Sequence, residues 1–340
     1  MDIYPYIKPL LFRLDAEKAH HLTLSALKRA HALKLTQLTA VRDAFEFPVE
    51  VMGLKFPNRV GLAAGLDKAG ECIAAFGTMG FGFVEIGTLT PKPQDGNPKP
   101  RLFRLPPAQA IINRMGFNNP GIEQGIKNVN DSRRGYQGIV GINIGKNAVT
   151  PMEKATDDYV ACLKVAYPHA DYIAANLSSP NTKNLRDLQN DENARALFST
   201  LKKEQAKLTD QHGRYVPLVI KIAPDLTEEA VKSLAGIFVE TTIDGVIATN
   251  TTISRDAVKG MEHGEEAGGL SGAPVTESSL KVIRALRENL PDKVPIIGVG
   301  GIMSGDDAKA KIEAGASLVQ VYTGLIYRGS GLVREILATI

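Results

Sequence analysis

The sequence predicts an α/β protein: a closed (β/α)8 barrel, the TIM-barrel architecture, preceded by a small N-terminal helical arm. Three observations carry that expectation. From about residue 60 a short apolar run followed by a helical stretch recurs eight times. The runs are predominantly apolar and do not alternate, as strands buried on both faces of a parallel sheet must be. Eight such units leave no large remainder, which favours a closed barrel over an open sheet, and barrels of this kind often exceed about 250 residues as one domain.

In chain order, "YPYIKPLLFRLD" leads to Asp15, which can cap a helix running through "AEKAHHLTLSALKRAHAL". Ala19, Leu22, Ala26, Ala30 and Leu33 form one stripe on that helix, and His20, Leu24, Leu27 and His31 a second beside it. So wide an apolar face suits two roles equally: a plain docking helix, or one that also offers a side to something greasy. Residues 1–40 are taken as the arm and 41–340 as the barrel. "VEVMGLKFPNRVG" reads as a hairpin closing the barrel floor. The eight strands are "VGLAAG" from Val60, "FVEIGT" from Phe83, "IVGINIG" from Ile139, "YIAANLS" from Tyr172, "LVIKIAP" from Leu218, "GVIATNT" from Gly245, "PIIGVGG" from Pro295 and "LVQVYTG" from Leu318. The passage from Pro91 to Gly138 is too long for one barrel helix and predicts a small excursion over the mouth. There is no internal repeat and no low-complexity tract.

Composition narrows the function classes. Hydrophobic residues make up 44% of the chain and charged residues 23%, an ordinary globular balance. Aromatic residues are only 6%, with no Trp, which argues against a stacking surface for nucleic acid. Cys72 and Cys162, two unspaced thiols, suit a reduced core better than a disulfide or metal site. The whole net charge of +3 lies in residues 1–40, where Lys8, Arg13, Lys18, Lys28, Arg29 and Lys34 face Asp2, Asp15 and Glu17. The rest of the chain is balanced, so the arm is the partner-facing part. No apolar run is long enough to span a bilayer, and no secretory-signal pattern opens the sequence. The Asn-x-Ser/Thr matches at Asn130, Asn176 and Asn250 are read as chance.

In a barrel of this type the site forms at the C-terminal strand ends. Those ends carry "AGLDK" (64–68), Thr88, Asn143 with Lys146, "NLSSPN" (176–181), Lys221, "TNT" (249–251), "GVGGI" (298–302) and "YTG" (322–324). Turn chemistry explains one or two polar ends, but not lysines and amides at nearly all of them. Gly300 and Gly301 after the seventh strand, with Tyr322 and Thr323 after the eighth, fit a phosphate cradle of mononucleotide type. No metal-ligand spacing is present. Lys221 stands inside an apolar strand, where a charge is expensive unless used. Beside a phosphate-anchored flavin it can meet charge that develops on reduction; the alternative use is a salt bridge to an internal carboxylate. Lys68 and the asparagines 113, 143, 176, 181 and 250 suit a planar, amide-rich anion. Ser178 and Ser179 have no histidine nearby in sequence, so the residues alone do not say which of them acts.

The segments "GLAAGLDKAGE", "EIGTLTPKPQDGNPKPRLFRL", "INRMGFNNPG", "GINIGKN", "NLSSPNTKNLRDLQ", "VIKIAPDL", "IATNTT", "GGLSG" and "IIGVGGI" resemble dihydroorotate dehydrogenases, and more narrowly the membrane-associated, quinone-using class 2 branch. The resemblance covers nearly the whole chain. It implies an FMN-dependent oxidation of dihydroorotate to orotate in pyrimidine biosynthesis. It assigns FMN to Ala64, Gly65, Leu66, Asp67, Lys68, Thr88, Asn143, Asn176, Lys221, Thr249, Gly272, Gly301, Tyr322 and Thr323. It assigns the substrate to Lys68, Asn113, Arg114, Met115, Gly116, Phe117, Asn176, Asn181, Asn250 and Thr251. The base is then Ser179, which takes the C5 proton as the C6 hydride leaves, aided by an ordered water or by Thr182 or Ser178. The soluble branch has cysteine at that position, so serine points to the quinone branch. Thr323 stands where serine is common and keeps the hydroxyl.

The resemblance also interprets the arm as a funnel for quinone, with His20, Arg104 and Tyr322 at the quinone head. It places the protein on the cytoplasmic face of a bacterial cell membrane as a peripheral, monomeric enzyme with no nucleic-acid partner. The basic, wide-faced helix suits an anionic interface. The rivals are a soluble oxidase using fumarate or NAD, a flavin-dependent RNA-reducing barrel, and a membrane adaptor without activity.

Overall fold

The arm is a pair of helices, α1 (Tyr4–Arg13) and α2 (Ala16–Ala32). Asp15 caps α2, its carboxylate accepting the Lys18 N–H at 2.9 Å. Glu17 in the first turn and Arg29 and His31 in the last complement the helix dipole. The computed structural model describes residues 4–340, with the side chains at positions 42 and 43 excepted. Residues 1–3 of the expected arm, Asp2 among them, lie outside the described residues.

A two-stranded hairpin follows, β1 (Val49–Val51) with β2 (Leu54–Phe56), in the antiparallel register Val49↔Phe56. Its Val51 and Phe56 pack with Phe83, Tyr172, Val219, Ile247 and Leu318 inside the barrel, so the hairpin is the floor plug the sequence predicts. The barrel strands are β3 (Val60–Leu62), β4 (Phe83–Leu89), β7 (Ile139–Ile144), β8 (Tyr172–Asn176), β9 (Leu218–Ile222), β10 (Gly245–Ala248), β12 (Ile296–Val299) and β13 (Leu318–Val321). Every neighbouring pair is parallel, and β13 closes onto β3. Seven fall within the predicted apolar runs, and β4 extends one residue, Leu89, beyond its run. Between them run α3 (Ile73–Gly77), α4 (Ile122–Ser132), α5 (Ala155–Ala166), α6 (Asp191–His212), α7 (Glu228–Glu240), α8 (Thr276–Asn289) and α9 (Gly305–Glu313), with α10 (Thr323–Arg328) and α11 (Ser330–Thr339) after β13.

The interior is filled by large side chains set against glycines. A Cβ on Gly61 would lie 2.2 Å from the Phe83 ring, and one on Gly141 would lie 2.2 Å from Tyr172 Cζ. Both pairs sit in register on adjacent strands. Such close approach fills the barrel without a pore.

The predicted excursion is β5 (Leu102–Leu105) and β6 (Ala110–Asn113), an antiparallel pair followed by α4. A third strand, β11 (Gly269–Gly272), arrives from the loop after β10 and pairs antiparallel with β6, Gly269 opposite Asn113. This small sheet brings Asn113, Ser271 and Gly272 to the rim of the barrel mouth.

Candidate active site

A cavity opens at the C-terminal ends of the strands. It collects side chains from seven of the eight barrel strand ends and from the small sheet. Of the sequence-predicted residues, Ala64, Gly65, Lys68, Thr88, Asn113, Met115, Gly116, Phe117, Asn176, Ser179, Asn181, Lys221, Thr249, Asn250, Thr251, Gly272, Gly301, Tyr322 and Thr323 all line it.

On the barrel-core side the cavity meets a buried polar network. Glu85 accepts from Asn143 Nδ2 at 2.8 Å on one oxygen, and from Tyr172 Oη at 2.8 Å and Gln320 Nε2 at 2.7 Å on the other. Thr88 Oγ1 donates to Asn143 Oδ1 at 2.6 Å and accepts from Asn176 Nδ2 at 3.1 Å. Lys221, opposite Asn176 in the β8–β9 register, is buried and has no hydrogen bond or ion pair among the described residues. Burial lowers its pKa, and the Glu85 charge opposes that shift without forming a salt bridge. The amine's hydrogen-bonding capacity is therefore left to the cavity it lines.

At the turn the sequence predicts as a phosphate cradle, Gly300 and Gly301 both have positive φ, at 112° and 74°. A Cβ on Gly301 would fall 2.1 Å from Thr276 Oγ1, so only glycine fits that turn. Thr323 Oγ1 donates to Ser271 Oγ at 2.8 Å.

The serine loop faces these groups across the cavity. Ser179 Oγ accepts the Asn181 N–H at 3.2 Å, and Asn181 Nδ2 donates to Asn113 Oδ1 at 3.2 Å. Ser178 is turned away and fully buried, accepting from Asn250 Nδ2 at 3.0 Å and donating to Asn176 Oδ1 at 3.3 Å. That is a supporting role, and only Ser179 reaches the cavity. Thr182 Oγ1, three residues on, is buried with no hydrogen-bond partner among the described residues. Arg186 clasps the loop from behind, donating to Ser178 O at 3.1 Å and Thr251 O at 2.9 Å while paired with Asp225 at 2.7 Å. Lys68 donates to Gly65 O at 2.8 Å. Burial, with the nearby Arg101 charge, lowers its pKa to about 8, and Glu17 and Asp67 work against that fall.

Leu66, Asp67, Asn143 and Arg114 do not line the cavity. Leu66 faces a second, apolar cavity. Asp67 folds back to accept the Glu71 and Cys72 N–H groups, and burial raises its pKa to about 6. Asn143 supports Thr88 from beneath. Arg114 turns outward to Glu266 at 2.6 Å and lies over the Phe103 ring. Lys146 is likewise spent on Asn147 O and Thr150 O. Sequence reasoning missed Gln320, Ser271, Glu85 and Arg186. Glu85 and Gln320 were visible as polar residues inside apolar strands, the same signal that singled out Lys221.

The second cavity lies between the arm and the barrel. Phe12, Leu24, Leu27, Leu102 and Ile111 are among its apolar walls, and His20, Arg104 and Tyr322 line it alongside four threonines and Ser330. Burial, then the Lys68 and His21 charges, lower the His20 pKa to about 3, so the imidazole is neutral. Arg104 donates to Leu11 O at 3.0 Å and to Leu14 O, holding the end of α1. Tyr322 lines both cavities and is their shared wall.

Among the described residues no cluster of three His, Cys, Asp or Glu could hold a metal ion, and no helix is long and apolar enough to cross a membrane. A closed parallel barrel with cationic and amide groups gathered at its strand ends defines a (β/α)8-barrel enzyme. The comparisons with known proteins make the class specific. The family model for dihydroorotate dehydrogenase matches residues 47–340. The dihydroorotate dehydrogenase (quinone) of Cupriavidus taiwanensis is 58% identical over 339 residues, 99% of this chain and 98% of that one. The corresponding protein of Thiobacillus denitrificans is 60% identical over 333 residues, 98% of each. A crystal structure of DHODH from Eimeria tenella in complex with ferulenol superposes with a TM-score of 0.88 at 40% identity, covering 95% of this chain and 90% of that one. The chain belongs to the dihydroorotate dehydrogenase family.

Proposed function

We propose that this protein oxidises dihydroorotate to orotate in pyrimidine biosynthesis, with FMN as its cofactor and a membrane quinone as the electron acceptor. The observation that carries the reading is the pair of cavities joined at Tyr322. One is lined by amides, Lys68 and Ser179, the other is apolar and lies under the arm. An oxidase that used a small polar acceptor would have no use for the second.

FMN fits the donor set of the first cavity. The Gly300–Gly301 turn and the Thr323 hydroxyl would hold its phosphate, Thr88 and Asn176 would meet polar edges of its ring system, and the unpartnered Lys221 would face its pyrimidine side. Gln320 Oε1, buried beside the same cavity without a partner among the described residues, is an acceptor left for a ring N–H. When bound, the flavin supplies the hydride acceptor.

The chain's own residues supply the rest. Lys68 would pair with the substrate carboxylate, and Asn113, Asn181 and Asn250 with the ring carbonyl and N–H groups. Ser179 Oγ would take the proton from C5. A hydroxyl is a weak base, so as Ser179 Oγ takes this proton its own hydroxyl proton must leave, relayed by the Thr182 hydroxyl, unpartnered among the described residues, or by an ordered water, and released to solvent. The Asn181 N–H stabilises negative charge that develops on Ser179 Oγ. Because Ser178 is committed to Asn176 and Asn250, it holds the loop and does not compete for the proton.

The arm, residues 1–40, is read as the membrane-facing part of a peripheral protein on the cytoplasmic face of the bacterial membrane, acting as a monomer. Its outer side exposes Tyr6, Leu10, Leu14, Leu22, Leu33 and Leu38. Anaerobic mixing with dihydroorotate should bleach the flavin absorbance, and added quinone should restore it. Restoration by fumarate or NAD at the same rate would overturn the assignment of acceptor, and a colourless protein would overturn the enzyme.

A further inference from the structure

Glu17 lies in the first turn of α2, one turn before His20, and is only 3% exposed. A carboxylate so placed needs strong partners. It accepts from Arg101 Nη2 at 2.8 Å and from Arg101 Nε at 3.2 and 3.3 Å, with Lys99 at 3.3 Å and His21 at 3.5 Å beside it. Burial works to raise its pKa, but hydrogen bonds and charge from Arg101 and Lys99 prevail and hold it at about 2.

Arg101 faces the other way as well. Its Nη1 donates to Asp95 O at 2.6 Å and Asn97 O at 2.8 Å. Asn97 in turn donates its N–H to Met115 O at 3.1 Å, and its Nδ2 to Arg114 O at 2.9 Å and Asn181 O at 3.4 Å. The Arg114 N–H returns to Arg101 O at 2.9 Å. The fit is close, since a Cβ on Gly116 would lie 2.8 Å from Asn97 Cγ. One unbroken run of polar contacts therefore connects the arm to the 113–117 turn and to Asn181, two walls of the cavity that holds Ser179.

We propose that the Glu17–Arg101 pair is a positioning device: it couples the seating of the arm helix, which walls the apolar cavity, to the shape of the dihydroorotate pocket. This inference rests on the function proposed above. Arg101 deprived of its carboxylate is an uncompensated buried charge, and it must reorient or draw in water. Either response releases the carbonyls at 95 and 97, and with them the substrate turn. Charge reinforces the geometry. Lys68 feels Arg101, Glu17 and Asp67, and itself acts on His20, so loss of the Glu17 anion also loosens the proton on Lys68.

The test uses the full-length holoenzyme carrying Glu17→Gln, and separately Asn97→Ala, which cuts the same run without disturbing the buried pair. Orotate is titrated through its perturbation of the flavin spectrum, and dihydroorotate kinetics are followed with a soluble dye that bypasses the quinone. Both variants should raise the orotate Kd and the dihydroorotate KM about tenfold, while kcat at saturation stays within about threefold. In Glu17→Gln the alkaline limb of kcat/KM should also move to lower pH, and Glu17→Asp should recover part of the affinity. Flavin-loaded variants whose orotate Kd stays within about twofold of wild type would overturn the coupling. So would a defect confined to quinone KM, which would make the pair a fastener of the arm alone. A wild-type protein that neither binds orotate nor is reduced by dihydroorotate would instead sink the underlying function.

Discussion

Among the described residues the Ser179 side chain has one polar contact, the Asn181 N–H, and it lines the cavity. Ser179→Ala should therefore retain bound flavin and slow its reduction by dihydroorotate by at least about two orders of magnitude, the usual weight of a positioned acid or base. A near-normal rate in stopped flow would remove Ser179 from the chemistry. Lys68 carries a second prediction. Burial lowers its pKa to about 8, so its charged, carboxylate-binding form prevails below that pH and is lost above it. The kcat/KM for dihydroorotate should fall as pH rises through about 8, and a profile flat to pH 10 would contradict the role. At this scale the residue types that reach the cavity were legible because lysine and asparagine at strand ends have few uses there other than a ligand. Their directions were not. Asn143, Arg114 and Lys146 share the composition of the lining residues, yet each satisfies a neighbour that only the folded chain supplies: Thr88 and Glu85, Glu266, and two local carbonyls.

The elements divide in the same way. Each barrel strand was readable from its own apolar run, and α2 from Asp15 and two stripes. The strand β11 was not, because four residues with two glycines show no period, and its partner β6 lies more than 150 residues earlier. The arm's outer side carries a prediction of its own. Leu10 and Leu22 are both more than half exposed and line neither cavity. Replacing both with Gln should weaken liposome binding by about tenfold or more, since each leucine buried in acyl chains contributes about 1.5–3 kcal/mol. Dye reduction should be unchanged. Unaltered vesicle binding in a flotation assay would count against these helices as the contact surface.

The whole molecule is a barrel whose inside is packed from below by a hairpin and from the walls by Phe83 and Tyr172 opposite Gly61 and Gly141. Phe83→Ala should cost about 3–5 kcal/mol, read as a lower urea midpoint with an unchanged slope. A loss below about 1 kcal/mol would mean the interior can collapse into the space. Tyr322 stands at the opposite end of this packing, a single phenol dividing the two chambers, with burial raising its pKa to about 12. In the proposed reaction, reductant and oxidant would enter by separate doors and need never be present together. A plug lodged beneath the helical pair would halt turnover yet leave the first half-reaction running to completion, and no excess of pyrimidine would dislodge it.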